Sequence, residues 1–216
     1  MPETKEYLNA KDFEIGLAEL DKILAGNPWI VAFAPIQLIT AGGFLAVSYL
    51  KSRESTGDID FLFDIEFAGD KEIRTAFKEA VVDVAEQTGF HREWINDSMS
   101  IFVTSKTRQQ LFDQALEQNI TLFKGESIEL RAAPIEWALE RKLRRIHAGD
   151  RDRKAEFDIA DAIAILKYMR TQKNGPLDEE AIRTMNMNGF DVIPDHRTMK
   201  RVADEYRNVH GEDIFK

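Results

Sequence analysis

Cysteine is missing from this 216-residue chain, which removes disulfide stapling and thiolate metal centres from consideration. Histidine is scarce: His91, His147, His196 and His210 fall at no metal-binding spacing, and none stands in a nucleophile motif. Positive charge is in the minority. Against 38 Asp and Glu there are 29 Lys and Arg, a net charge of −9, so the broad basic surface of an unspecific nucleic-acid binder is absent. That balance still leaves room for a local basic patch. No Gly-Lys-Ser/Thr follows the paired glycines, so they are not a P-loop, and Asp150-Arg151-Asp152 lacks the glycine and closing glutamate of a calcium loop. Residues 1–12 carry charges of both signs and no apolar stretch, unlike a signal peptide. One uncharged run, residues 23–50, has the length of a membrane span. Asn27-Pro28, Pro35, Gln37 and Gly42-Gly43 interrupt it, so it reads as helix end, turn, strand, turn, helix. With 44% hydrophobic residues, the expectation is a soluble, cytoplasmic protein with a substantial core and no membrane partner.

What is present is an α+β pattern. Phe13, Ile15, Leu17, Leu20 and Ile23-Leu24 recur at helical spacing, and Gly26-Asn27-Pro28 ends them. The same reading predicts strands at 36–40, 59–65, 99–104, 121–123 and 128–131. Helices are predicted at 44–50, 70–88, 108–117 and, from Pro134, 135–148. Beyond residue 154 only helices follow, at 154–171, 178–185 and 197–210. The expected organisation is an α+β domain over 1–150 and a helical C-terminal region over 151–216.

The segment from Ile36 to Asp64 carries the chemistry. An apolar run ends at Gly42-Gly43, a short amphipathic stretch follows, and a second apolar run bears Asp58 and Asp60. On a strand, carboxylates at i and i+2 point to one side, about 6.5–7 Å apart at the backbone. Such a pair repels itself unless a cation intervenes, and carboxylates at this spacing bracket Mg²⁺ at about 2.1 Å. They also suit two ions about 3.5–4 Å apart, the arrangement used for in-line phosphoryl displacement. Glycines at a helix start let backbone N–H groups approach phosphate oxygens. The bland alternatives are a tight turn for the glycines and a solvated strand edge for the acids. Arg53, Ser55 and Thr56 precede the second strand, either as triphosphate contacts or as a solvated loop. Lys142, Arg144, Arg145, Arg151, Arg153 and Lys154 form the dense basic cluster, either a phosphate or RNA-end contact or a helix face paired with Glu140, Asp150, Asp152 and Glu156. Asp158 and Asp161, three apart, are expected to fix their helix against those basic residues.

In its order (apolar strand, Gly-Gly, helix, Arg/Ser/Thr, Asp-x-Asp strand) the chain resembles the nucleotidyltransferase fold of the DNA polymerase β-like superfamily, chiefly its small, minimal members. The specific part is Gly42-Gly43, Arg53, Ser55-Thr56, Asp58 and Asp60, and residues 140–166 are similar to the family's Lys … Arg … Lys-Asp-x-x-Asp helices. The 14 residues between Gly43 and Asp58 make a slightly longer connection than is usual there. The resemblance implies a nucleotidyltransferase-like mixed sheet and Mg²⁺-dependent, ATP-binding-type chemistry. The reaction would transfer NMP from an NTP to a hydroxyl on RNA, protein or a small molecule. Asp58 and Asp60 would be the catalytic metal ligands, and Gly42, Gly43, Arg53, Ser55, Thr56, Lys142 and Arg153 the nucleotide contacts. The third carboxylate that this fold supplies from a neighbouring strand would be Glu129, with Asp97 as the alternative. A different implication is a catalytically silent member acting as a binding or regulatory module, such as half of a toxin–antitoxin-like or defence pair.

Overall fold

The computed structural model describes residues 4–149, 153–187, 189 and 192–216, without the side chains of Phe102, Arg153 and Lys154. Two compact units divide the chain, Met1–Ala133 and Pro134–Lys216. The first runs β1 (Leu8–Asn9), α1 (Ala10–Leu24), α2 (Pro28–Phe33), β2 (Ile36–Ala41), α3 (Gly43–Ser48), β3 (Ser55–Thr56), β4 (Ile59–Phe63), α4 (Ile65–Ala68), α5 (Lys71–Thr88), β5 (Ile95–Asn96), a 3-10 turn (Ser98–Phe102), α6 (Ser105–Gln118), β6 (Thr121–Lys124) and β7 (Ile128–Ala132). The uncharged 23–50 run thus becomes the end of α1, then α2, β2 and α3. Among the described residues no helix is long and apolar enough to cross a membrane.

The sheet is mixed, in the order β5-β4-β2-β7-β6. β2 runs antiparallel to β4 and parallel to β7, β5 is parallel to β4, and β6 is antiparallel to β7. Local chemistry sets the helix ends. Asn9 and Asp12 form a reciprocal capping box on α1. Asp70 caps α5 through the Ile73 N–H, and Gly89, in the left-handed region at φ 75°, ends it. Alternation along the strands sends Ile36, Leu38, Ile59, Phe61, Phe63, Ile128 and Leu130 into one core with Phe13, Leu17 and Leu20 of α1 and Phe77 and Val84 of α5. Phe61, Phe63 and Phe77 meet there as a trio with ring centroids 4.9–5.2 Å apart.

Two expectations change. The predicted strand at 99–104 is a 3-10 turn: Asn96 Oδ1 accepts from the Ser98 N–H and turns the chain, leaving Met99 buried and Ile101 78% exposed. The boundary expected at 150 falls after Ala133, because the helix 135–148 packs with the helices that follow it. This second unit comprises α7 (Ile135–Ala148), α8 (Arg153–Lys173), α9 (Glu179–Arg183) and α10 (His196–His210), close to the helices predicted. Asp178 and Asp195 cap α9 and α10. Near the end of the chain, hydrogen bonding from Lys167, reinforced by Tyr206 and Arg170, holds the Glu212 carboxyl below its ordinary range.

One carboxylate ties α1 to the β6–β7 hairpin. Asp21 accepts from the backbone N–H groups of Glu126 (3.0 Å), Ser127 (2.8 Å) and Ile128 (2.9 Å). Its side chain lies where a Cβ on Gly125 would project, so glycine is the residue that admits it. Charge-assisted bonds to backbone donors are the strong kind. Replacing Asp21 by Ala is expected to cost about 2–4 kcal/mol of stability in urea denaturation, with Asp21→Asn intermediate. An Asp21→Ala protein as stable as the parent would contradict this anchoring.

Candidate functional site

The two glycines stand where β2 ends and α3 begins. Gly42 has φ 93° and ψ −144°, a conformation that side chains other than glycine's rarely adopt. A Cβ built on it would lie 3.8 Å from Asp60 Oδ2, so the Asp60 carboxylate rests against bare backbone. The cause is register: Asp60 pairs with Ala41 at the end of the β2–β4 ladder. Thr40 strengthens the same end by donating its hydroxyl to the Asp60 carbonyl at 2.6 Å.

Gly43 answers a steric demand. A Cβ there would come 2.7 Å from the Thr56 Cβ, with Thr56 Oγ1 closer still. Thr56 itself is buried, in the two-residue β3 that pairs with β1 (Leu8↔Thr56, Asn9↔Ser55). The structure therefore places Ser55 and Thr56 in a ladder and packs Thr56 on the glycine corner, while Arg53 lies half-buried just before it. α3 spans only six residues, Gly43–Ser48, so the helix-end field invoked for phosphate is small.

Asp58 directly precedes β4. Its Oδ2 accepts from Asn96 Nδ2 at 3.0 Å, and Asn96 is level with Asp60 in the parallel β4–β5 ladder. Residues level in a ladder share a face, so Asp58, Asp60 and Asn96 stand together on the face opposite the aromatic core. His91 Nε2 lies 2.6 Å from the Gly57 carbonyl, which only accepts; the ring N–H is the donor and pins the turn before Asp58. Asn96 and His91 were missed by sequence reasoning. A lone asparagine after an isoleucine carries no motif, and its role depends on a two-residue strand that periodicity does not detect.

The expected third acid is not there. Glu129 is level with Gln37, and Ile39 with Arg131, so Glu129 lies four residues along β2 from the Ala41 level, about 13 Å of strand. It is buried, in contact with Arg131 Nη2 at 2.5 Å and Gln37 Nε2 at 3.4 Å. Asp97, the alternative, pairs with Arg74 of α5 at 2.7 Å. The neighbouring-strand position level with Asp60 belongs instead to Asn96, whose amide reaches Asp58. Among the described residues no group of three or more His, Cys, Asp or Glu is placed to hold a metal ion.

The basic cluster divides differently from the phosphate reading. Lys142, 4% exposed, sends its ammonium to Asp158 Oδ1 (2.9 Å) and Asp161 Oδ2 (2.6 Å), and Arg145 also reaches Asp158 at 2.7 Å. Arg144 pairs with Glu140 at 3.1 Å and bonds Asn186 at 3.0 Å. A buried ammonium held by two carboxylates is committed to structure: removing it would leave uncompensated charge. Lys142 thus locks α7 to α8, as Asp158 and Asp161 were expected to do from their side. The side chain of Arg153, and all of Arg151, lie outside the described residues.

No protein-family model, curated protein or solved structure matches this chain. The glycine corner is testable by itself. Gly43→Ala is expected to cost about 1–3 kcal/mol through overpacking on Thr56. Adding Thr56→Ala should recover part of that loss, giving a non-additive double-mutant cycle in urea. Additive costs would show that the close approach is not what demands glycine.

Proposed function

We propose that the corner built from Gly42, Gly43, Asp58 and Asp60 binds a nucleoside triphosphate, such as ATP, together with Mg²⁺. We further propose that the chain is a nucleotide-binding module of nucleotidyltransferase-like build. The observation that carries this reading is the Asp60 carboxylate against the side-chain-free backbone of Gly42, with Asp58 on the same strand face. Two carboxylates are hard oxygen donors of the kind Mg²⁺ takes alongside substrate phosphates. The cation, when bound, would neutralise phosphate charge. The residues hold and orient: Asp58 and Asp60 as ligands, Gly42 and Gly43 as backbone that a phosphate approaches closely.

Transfer of NMP to a hydroxyl of RNA, protein or a small molecule is the second reading, favoured by the two acids sharing one face. Transfer needs more than a neutralised leaving group; the attacking hydroxyl must also be positioned and relieved of its proton. A third carboxylate would serve there, but Asn96, a group without basicity, holds the place. The balance of the geometry supports binding over transfer.

Calorimetry of the full chain with ATP, GTP, CTP and UTP, with and without Mg²⁺, tests this. Mg²⁺-dependent binding of at least one NTP is expected, weakened about tenfold or more, roughly 1.4 kcal/mol, by Asp60→Asn. Absence of Mg²⁺-dependent binding to all four, or a folded Asp60→Asn that binds like the parent, would overturn the reading. Incorporation of α-phosphate label into RNA or protein, abolished by Asp58→Asn, would establish the transferase reading in its place.

A further inference from the structure

Residues 28–35 carry no charge and, apart from Ile30, all lie exposed. Trp29 is 55% accessible, Val31 58% and Phe33 46%. Single apolar side chains on a surface need no explanation. Three large ones on one short helix, followed by exposed Ala34 and Pro35, form a patch of the kind that marks an interaction site. The patch is held in place from beneath. Asn27 caps α2 through the N–H groups of Trp29 (3.0 Å) and Ile30 (3.4 Å), and the Ile30 side chain is wholly buried. Trp29 and Phe33, four apart, share a face of α2. Phe33 leans on Phe67 of α4 with ring centroids 6.0 Å apart, whereas the Trp29 ring meets no aromatic or cationic side chain among the described residues.

Beside Trp29 lies a hollow of about 320 Å³, walled on its other side by Lys71, Glu72, Ala76 and Glu79 of α5. Glu72, Glu79 and Asp83 stand at i, i+7 and i+11, so they line up as one stripe that continues past the hollow. All three are exposed, and among the described residues none forms an ion pair. Lys71 offsets one of the two carboxylates on the wall. A free indole face and free carboxylates recognise the same chemistry, a cationic group, through the ring quadrupole and through charge. The rest of the patch calls for apolar surface on the same partner. We propose that α2 and the outer face of α5 form a docking surface for a basic amphipathic protein segment. Its Lys or Arg side chains meet Trp29, Glu72 and Glu79, and its apolar side covers Val31 and Phe33. Laying an amphipathic helix on a preformed apolar face is a recurring mode of recognition. Charge selects this occupant over two others. The stripe and the net charge of −9 oppose an anionic lipid surface, and a second copy docked on the same face would set like charges together. The surface is independent of the glycine–aspartate corner.

Indole emission reads the contact directly. Of the three tryptophans, Trp94 and Trp137 are fully buried, so acrylamide quenching reports Trp29. The probe is a Leu/Lys amphipathic peptide added to the full chain. It is expected to shield Trp29, shift its emission to the blue and lose affinity as salt is raised. Glu72→Gln/Glu79→Gln should weaken binding about tenfold by the same readout. Trp29→Ala should do likewise, followed by anisotropy of the labelled peptide. Glu117→Gln/Glu136→Gln, which removes the same charge from exposed acids of α6 and α7, should stay within about twofold of the parent. Unchanged melting temperatures certify the folded state of each variant. Equal binding of a Leu/Glu peptide, or an equal loss in the Glu117/Glu136 control, would overturn the proposal. So would shielding of Trp29 without peptide, whether by raising the protein concentration (a second copy) or by anionic vesicles (a membrane surface).

Discussion

The antiparallel register of β2 against β4 is the constraint on which the rest of the first unit depends. It pairs Ala41 with Asp60 and Leu38 with Phe63. A slip of one residue would send Asp60 into the core and the phenylalanines out to the other face. The aromatic trio on one side and the carboxylates on the other therefore arise from the same alignment. The glycine corner makes that alignment accessible. Gly42 takes a backbone conformation that turns the chain out of β2, and Gly43 lets Thr56 close against it.

From that alignment follows a sheet face with two unlike ends. At one end the Glu129 carboxylate faces the Arg131 guanidinium and the Gln37 amide, so the negative charge there meets a positive one. At the other, two aspartates share a face and the amide of Asn96 supplies one hydrogen bond. In the helical unit the charges are spent on structure, with Lys142 between Asp158 and Asp161 and Arg144 on Glu140. The glycine–aspartate corner is where the fold sets two acids on one strand face beside side-chain-free backbone, and that placement is the physical basis for reading it as a cation–phosphate site.

Much of this was legible in the sequence because it depends on short-range rules. Asp70 and Gly89 bracket α5 where capping chemistry placed them, and Pro134 opens α7. The face shared by Asp58 and Asp60 follows from strand alternation alone. What failed required partners distant in sequence. Which strand lies beside β4, and at which level, is a tertiary fact, so Glu129 and Asp97 both passed for a third acid while Asn96 went unnoticed. Lys142 looked like a phosphate contact because spacing does not reveal that its ammonium is buried between two aspartates sixteen and nineteen residues on. Asp21 gave no signal because the N–H groups that donate to it lie more than a hundred residues away. For the glycine pair, the phosphate cradle and the tight turn were both open; the positive φ of Gly42 and the close approach of Thr56 to Gly43 show the local demands that each meets.

The most direct test is to locate the bound nucleotide. Paramagnetic broadening of backbone amide resonances by Mn²⁺·ATP reports distance from the metal without assuming any activity. The account predicts that the signals of Gly42, Gly43, Asp58, Asp60 and Asn96 are lost first. Broadening centred on the helical unit, or spread evenly over the surface acids, would contradict it.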